Sequence, residues 1–421
     1  MLVFNKLIIK NGIIYVGFEV LNKSLPFILL PILTHYISPT GFGLIANFNA
    51  LYGVLAVLVG LSIHGAVNVA YVKYGKSEIS AYVFNSFIIL TASLFVILFV
   101  SFIFSNTYKQ FSNLPIYWLY IGVFSAAMQF VTSINLVLWQ AEKRALNYGA
   151  YQLLQTLFNF SLSVWLVIIV TMGWEGRLYA QNISVICFAV ISLIIIYKRN
   201  YLSANVNTKY IIDALKYGVP LIPHSLSGWI FMGFNILLIT AVLGEDKAGI
   251  YSVAMQFALM MNIIVNALNR AIQPFFYERL KDIDNVKKAT LVKYVYLGFI
   301  TMIIIGILVT LLTSVIIRFF VDDLYHNANT YLPYLIFSAV FNGFYLLVVK
   351  FIFYINKTYH ITIATFISAV SHIVISILLI NIIGLLGVAI ATLISSLISF
   401  IVTWYISSRV FPMPWLRIKI N

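Results

Sequence analysis

The sequence predicts an all-α polytopic membrane protein, with about twelve spans arranged as two parallel six-helix bundles. Three observations carry that prediction. Hydrophobic residues make up 62% of the 421 and charged residues only 9%, with a mean hydropathy of +0.99, far from a soluble domain's balance. Apolar runs recur at the length of about 20 residues that a helix needs to cross the bilayer, not as a barrel's short alternating strands. Finally, the two halves repeat a motif at the same place in each.

Hydropathy puts the spans near 12–34, 43–69, 80–104, 116–139, 149–172, 178–197, 218–243, 248–269, 294–316, 331–354, 361–383 and 388–407. This divides the chain into an N-terminal bundle (1–200), a linker (201–217) and a C-terminal bundle (218–421). The start has a basic lead but no small-residue cleavage site, and Glu19 interrupts its apolar run. It reads as a retained first helix. Cys187 is the only cysteine, which excludes an intramolecular disulfide and a cysteine-based metal site.

Charge then gives orientation. Of the 26 Lys and Arg, 20 fall in connectors on the N-terminal side. Lys109, Arg177, Lys247 and Arg318 fall on the other, and Lys23 and Lys350 lie inside spans. Such a bias predicts both termini in the cytoplasm. It also accounts for the net charge of +14 by apposition to the anionic leaflet, so no nucleic-acid partner is implied. The linker's apolar residues at 211, 212, 215 and 219 predict an amphipathic helix lying on the membrane. Residues 277–293, charged on most faces, read as a solvated connector.

The first span holds Glu19 and Lys23 four residues apart, acid first, the favoured order for an ion pair on one helix face. Charges at that depth need a partner or a hydrated cavity. Pro26 and Pro31 follow, and each removes a backbone donor. With Pro220 and Pro223, which open the seventh span, they are the candidate hinges.

The repeat is a frame G-x-x-G-x-x-x-A-x-x-I-S, found as Gly173, Gly176, Ala180, Ile183, Ser184 and again as Gly384, Gly387, Ala391, Ile394, Ser395, 211 residues on. At an offset of 206, residues 42–45 match 248–251 and 70–73 match 276–279. Six spans per repeat is an even number, so the halves are parallel, and a site is expected at their interface near the midplane.

Polar stripes run along three spans: Gln152, Gln155, Thr156, Asn159 and Ser163; Asn262, Asn266, Asn269 and Arg270; Thr365, Ser368, His372 and Ser376. Such stripes act as interhelical glue or line a cavity. Asn159, Asn266, Arg270 and His372 are the cavity candidates among them. His224, beside Pro223, is placed to carry a proton or meet an anion. Lys350 is either a cavity residue or a snorkelling one. His64 and Arg270 are placed for an inner gate or for interface anchoring. The chain contains no P-loop, G-x-S-x-G or H-E-x-x-H, so neither a catalytic residue nor a cofactor is expected, and transport would draw on H+, Na+ or the substrate's own gradient.

The runs at 215–239, 243–262, 272–280 and 356–365, with both glycine frames, resemble the Wzx-type O-antigen and polysaccharide repeat-unit flippases. The resemblance implies a MATE-like member of the multidrug/oligosaccharidyl-lipid/polysaccharide exporter superfamily in the bacterial inner membrane. It implies movement of undecaprenyl-pyrophosphate-linked oligosaccharides to the periplasmic leaflet, alongside the polysaccharide polymerase and chain-length machinery. Related flippases meet the pyrophosphate with cations on the first helices, which casts Lys23 in that role, although here one Lys beside one Glu stands in place of an arginine cluster. The rival readings are an ion-coupled multidrug exporter of the same superfamily and a membrane-embedded glycosyltransferase or polymerase.

Overall fold

The computed structural model describes residues 6–280, 284–355 and 359–415. Lys281, Lys357, Arg417 and Lys419 of the basic set, and the first three residues of the 356–365 motif, lie outside them. Among the described residues, twelve helices are long and apolar enough to cross a membrane. In order they are Gly17–Thr34, Pro39–Gly75, Glu78–Ile103, Ile116–Ala141, Ala145–Ile169, Gly173–Lys198, Thr208–Leu243, Glu245–Gln273, Val286–Phe320, Ala328–Tyr354, Tyr359–Ile383 and Leu385–Val410. Each coincides with a predicted span. Hydrocarbon offers the backbone no hydrogen-bond partner, so the polypeptide crosses it as helix.

By internal contacts the chain forms two compact units, Met1–Ala241 and Val242–Asn421. The linker and most of the seventh span group with the first. Both units use the same packing scheme. In unit 1 the fourth span packs on the second, third and sixth, and the fifth packs on the sixth. In unit 2 the tenth packs on the eighth, ninth and twelfth, and the eleventh on the twelfth.

The repeated frame explains itself at this level. Gly173 and Gly384 have φ of 58° and 60°, left-handed values that turn the chain from one span into the next at little steric cost only without a Cβ. The second glycine is where the helices touch. A Cβ on Gly176 would lie 3.1 Å from the Leu166 carbonyl oxygen, and one on Gly387 would collide with the Leu379 carbonyl. The frame's serines face the same neighbours: Ser184 Oγ donates to Gln155 O at 3.2 Å, and Ser395 Oγ lies 3.2 Å from His372 Nδ1.

The linker departs from expectation. Its helix, Thr208–Gly218, is capped by Asn207, whose side chain accepts from Lys209 N. It docks on the second–third hairpin instead of resting on lipid alone. Asp213 takes Lys73 Nζ at 2.8 Å and the Tyr82 hydroxyl at 3.1 Å, and the Tyr210 hydroxyl donates to Glu78. Asn85 donates to Asn205 O and accepts from Asn207 N, at 2.8 and 2.9 Å. The predicted apolar edge survives as exposed Ile212 and Val219.

Two other polar contacts end the spans on this side. Glu142 closes the fourth span, paired with Arg144 at 3.1 Å and with Arg199, and accepts from the Tyr201 hydroxyl. Burial and that bond push the Tyr201 phenol up, so it stays a donor. Residues 277–293 are not a free connector, since helix runs to Leu280 and resumes at Asn285.

The glycine geometry gives a direct comparison. Gly384→Ala strains one left-handed residue at a cost of about 1–2 kcal/mol, whereas Gly387→Ala drives a Cβ into backbone and should cost at least about 3 kcal/mol. Thermal melting of the purified variants in detergent measures both. Equal melting temperatures would show that the eleventh and twelfth spans do not approach this closely.

Candidate functional site

The first span lies within one continuous helix, Lys6–Thr34, that includes Pro26 and Pro31. Its predicted ion pair is formed: Lys23 Nζ lies 2.7 Å from Glu19 Oε1, with both side chains partly exposed. Pro26 leaves the Asn22 carbonyl without its helical donor. Both polar atoms of the Asn22 side chain are buried without a hydrogen-bond partner. Below Pro31 the helix is closed by Thr34 Oγ1 and His35 Nδ1, which donate to Pro31 O at 2.7 and 2.8 Å.

This helix packs on the fifth span. Tyr15 meets Tyr148 edge-on at 5.3 Å, and Phe18 lies across Gly149, where any Cβ would collide with its ring. Spans one and five run in the same direction. Carrying the Phe18–Gly149 register upward at 1.5 Å per residue therefore puts Lys23 about 7 Å below Asn159.

At that higher level stands a residue that the sequence reading counted as a loop charge. Arg177 lies in the second turn of the sixth span's helix, half-buried. Its Nη1 donates to Asn159 Oδ1 at 2.8 Å and to Ser163 Oγ at 3.1 Å. Ser163 Oγ in turn donates to Asn159 O at 2.7 Å. No carboxylate pairs with Arg177 among the described residues, and Glu175 accepts from the Tyr117 hydroxyl at 2.8 Å. The upper part of the stripe is thus a neutral cradle for a cation. The lower part is glue: Tyr151 and Ser192 hydroxyls share a 2.6 Å bond. The available signal was the arginine one position after Gly176, following an Asn-x-x-x-Ser face on the preceding span.

The second and seventh spans meet where both are interrupted. Leu61 and Ser62 have φ of 46° and 55° and break the second span. The seventh contains a tight turn at Val219–Leu221, which includes Pro220, and a wide π-turn at Ile230–Phe234. Pro223 opens the intervening helix, Ile222–Trp229. Trp229 Nε1 donates to Ala50 O at 2.6 Å, and Ser225 and Ser62 hydroxyls lie 3.4 Å apart. Nearer the other end, Thr240 Oγ1 donates to Asn47 Oδ1 at 2.7 Å. His224 is exposed within this segment.

In unit 2 the candidates are separate. Asn266 Nδ2 donates back to Asn262 O at 2.8 Å, and Arg270 is exposed one turn further on. His372 is fully buried beside Ser395, joining the eleventh span to the twelfth. Lys350 is 3% exposed, so it is packed within the unit and does not snorkel. Its Nζ sits 5.2 Å from the Phe276 ring centroid and has no hydrogen-bond partner. The structure therefore joins Glu19 to Lys23, Asn159 to Arg177 and His372 to Ser395.

Fold and side chains together define a multi-pass helical membrane protein with a MATE-like repeat architecture. A model of the polysaccharide biosynthesis protein family matches residues 8–280, and the chain belongs to that family. Two Haemophilus influenzae proteins are similar over most of their length. Lsg locus protein 1 is 23% identical over 360 residues, covering 83% of this chain and 86% of the relative. An uncharacterized membrane protein is 26% identical over 369, covering 86% and 87%. Among solved structures, an inward-facing multidrug resistance MATE family transporter of the MOP superfamily superposes with a TM-score of 0.72 at 15% identity, covering 92% of this chain and 94% of that one. The lipid II flippase MurJ, in an inward closed conformation, gives 0.71 at 16%, covering 94% and 87%.

The Arg177 cradle is testable by a double-mutant cycle. Asn159→Ala and Arg177→Gln should couple by about 1–2 kcal/mol in detergent unfolding, the range for a hydrogen bond to a charged group in a partly wet site. Additive losses would mean that the pair makes no such bond.

Proposed function

We propose that this protein is a flippase for undecaprenyl-pyrophosphate-linked oligosaccharide repeat units, working by alternating access in the bacterial inner membrane with both termini cytoplasmic. The family match across residues 8–280 is the observation that carries this reading. The likeness to a lipid II flippase adds a fold precedent for moving a lipid-linked sugar.

The chemistry of unit 1 suits the task. Lys23 is already committed to Glu19 at 2.7 Å, so a pyrophosphate must compete with a carboxylate for the same ammonium. Protonation of Glu19, or a sodium ion held by it, releases Lys23 to the phosphate. Loss of that ion restores the internal pair and expels the anion. This exchange couples ion movement to substrate release without a separate energy-converting domain. About 7 Å further along, Arg177 on its neutral cradle offers a second cation with hydrogen-bonding capacity left over. The sugars occupy the polar space while the polyprenyl tail remains in lipid.

The same fold in a multidrug transporter supports a second reading, ion-coupled export of drugs. The two separate cleanly. In a host lacking its own O-antigen flippase, this gene should restore surface polysaccharide ladders on gels. At equal expression, Lys23→Ala should reduce ladder intensity at least about tenfold, the equivalent of one charge-assisted contact. Glu19→Gln, which frees Lys23 permanently, should retain binding but slow turnover. Full ladders from both variants would eliminate the exchange mechanism. Absent ladders together with efflux of cationic dyes would establish the drug exporter.

A further inference from the structure

The basic end of unit 2 has a feature that substrate movement does not use. Arg279 lies in the last turn of helix Glu245–Leu280. Its guanidinium carbon stands 4.5 Å from the Phe275 ring centroid and 5.1 Å from that of Tyr294. The two rings meet edge-on at 5.7 Å and are each about two-fifths exposed. Two further cations repeat the pattern nearby in sequence. Lys288 lies 5.6 Å over Phe411, and Arg409 lies 5.3 Å over Tyr405.

Contact with ring faces occupies the π-surface of a guanidinium and leaves its in-plane N–H donors available. Among the described residues no carboxylate or other acceptor takes those donors from Arg279. The site therefore has a fixed cation, a planar donor edge and no internal anion.

Depth says which anion. Helices Glu245–Leu280 and Asn285–Phe320 have 36 residues each, or about 54 Å at 1.5 Å per residue, against ~30 Å of hydrocarbon. Their joined ends consequently project beyond the apolar layer. Helical side chains lean toward the helix N-terminus, so Arg279 is directed back toward the membrane and onto Phe275, one turn earlier. Exposed aromatic rings at this level are the usual marker of the headgroup layer.

We propose that the basic end of unit 2 holds the phosphate headgroup of an anionic phospholipid, with Arg279, stacked against Phe275 and Tyr294, as its anchor. Lys288 and Arg409 supply further positive potential. The site is distinct from the midplane chemistry of Lys23 and holds whichever substrate the protein moves.

The test uses the purified, delipidated full chain and native mass spectrometry, titrated with phosphatidylglycerol or with phosphatidylcholine of equal chain length. Wild type should retain phosphatidylglycerol about fivefold over phosphatidylcholine, the effect of roughly one basic residue at a lipid surface. R279Q should bring the ratio close to one. R279K, which keeps the charge but not the planar stack, should fall between. K198Q removes an exposed charge from unit 1 and should leave the ratio unchanged. R279Q must elute as wild type in size exclusion, and if it does not, R279K and Phe275→Ala carry the comparison. Equal retention of the two lipids by wild type would overturn the proposal, as would equal losses in K198Q and R279Q. Displacement of phosphatidylglycerol by farnesyl pyrophosphate in wild type would assign the site to a pyrophosphate substrate and overturn the phospholipid assignment.

Discussion

A charge in hydrocarbon must be compensated by the protein itself, and the interior of this molecule is arranged around that constraint. Three cations within the spans meet it in three ways. Lys23 has a carboxylate at 2.7 Å. Arg177 has two neutral oxygens from the adjacent span. Lys350 has an aromatic face and close packing. Only the first arrangement is an internal charge neutralisation that another ion can reverse. That difference is why the exchange mechanism is placed at Glu19 and Lys23 and not at the more deeply buried lysine.

The second constraint is close approach between helices. Lipid tails are as apolar as the side chains, so association relies on packing and on hydrogen bonds between spans. The repeated frame supplies both from five residues. Its first glycine turns the chain, its second admits a neighbouring backbone, and its serine reaches the same neighbour by hydrogen bond. Two units built to one packing scheme follow from two copies of one short sequence.

Much of this was legible before any coordinates. Twelve spans follow from hydropathy, because the backbone has no alternative to helix in lipid. The Glu19–Lys23 pair follows from a four-residue spacing on one helix, where geometry is local. The repeat was legible as a pattern, and its mechanism was not, because the contacts of Gly176 and Gly387 are made with another span. Arg177 was missed for a related reason. A charge just past a turn reads as a loop residue unless the acceptors on the preceding helix are known to face it. The linker was read as a helix correctly. Its docking depended on Asp213 and Tyr210 finding Lys73, Tyr82 and Glu78 more than 100 residues away, which no local pattern encodes.

The interruptions of the second and seventh spans carry the argument one step further. Two consecutive non-glycine residues at positive φ are costly, and in lipid the carbonyls around such a break must be satisfied by other means. Here side chains take over that task. Ser93 donates to Val59 O at 2.6 Å beside the break at Leu61, and Trp229 donates to Ala50 O on the same helix. A break held by side-chain donors can change its angle by exchanging those donors, whereas a regular helix must first lose its own ladder. The seventh span is jointed on both sides of Ile222–Trp229, and the linker that precedes it is fixed to the second–third hairpin. Bending within unit 1 is therefore directed to the jointed segment that contains Pro220, Pro223 and His224. The linker acts as its anchored end, and the movement needs no flexible tether.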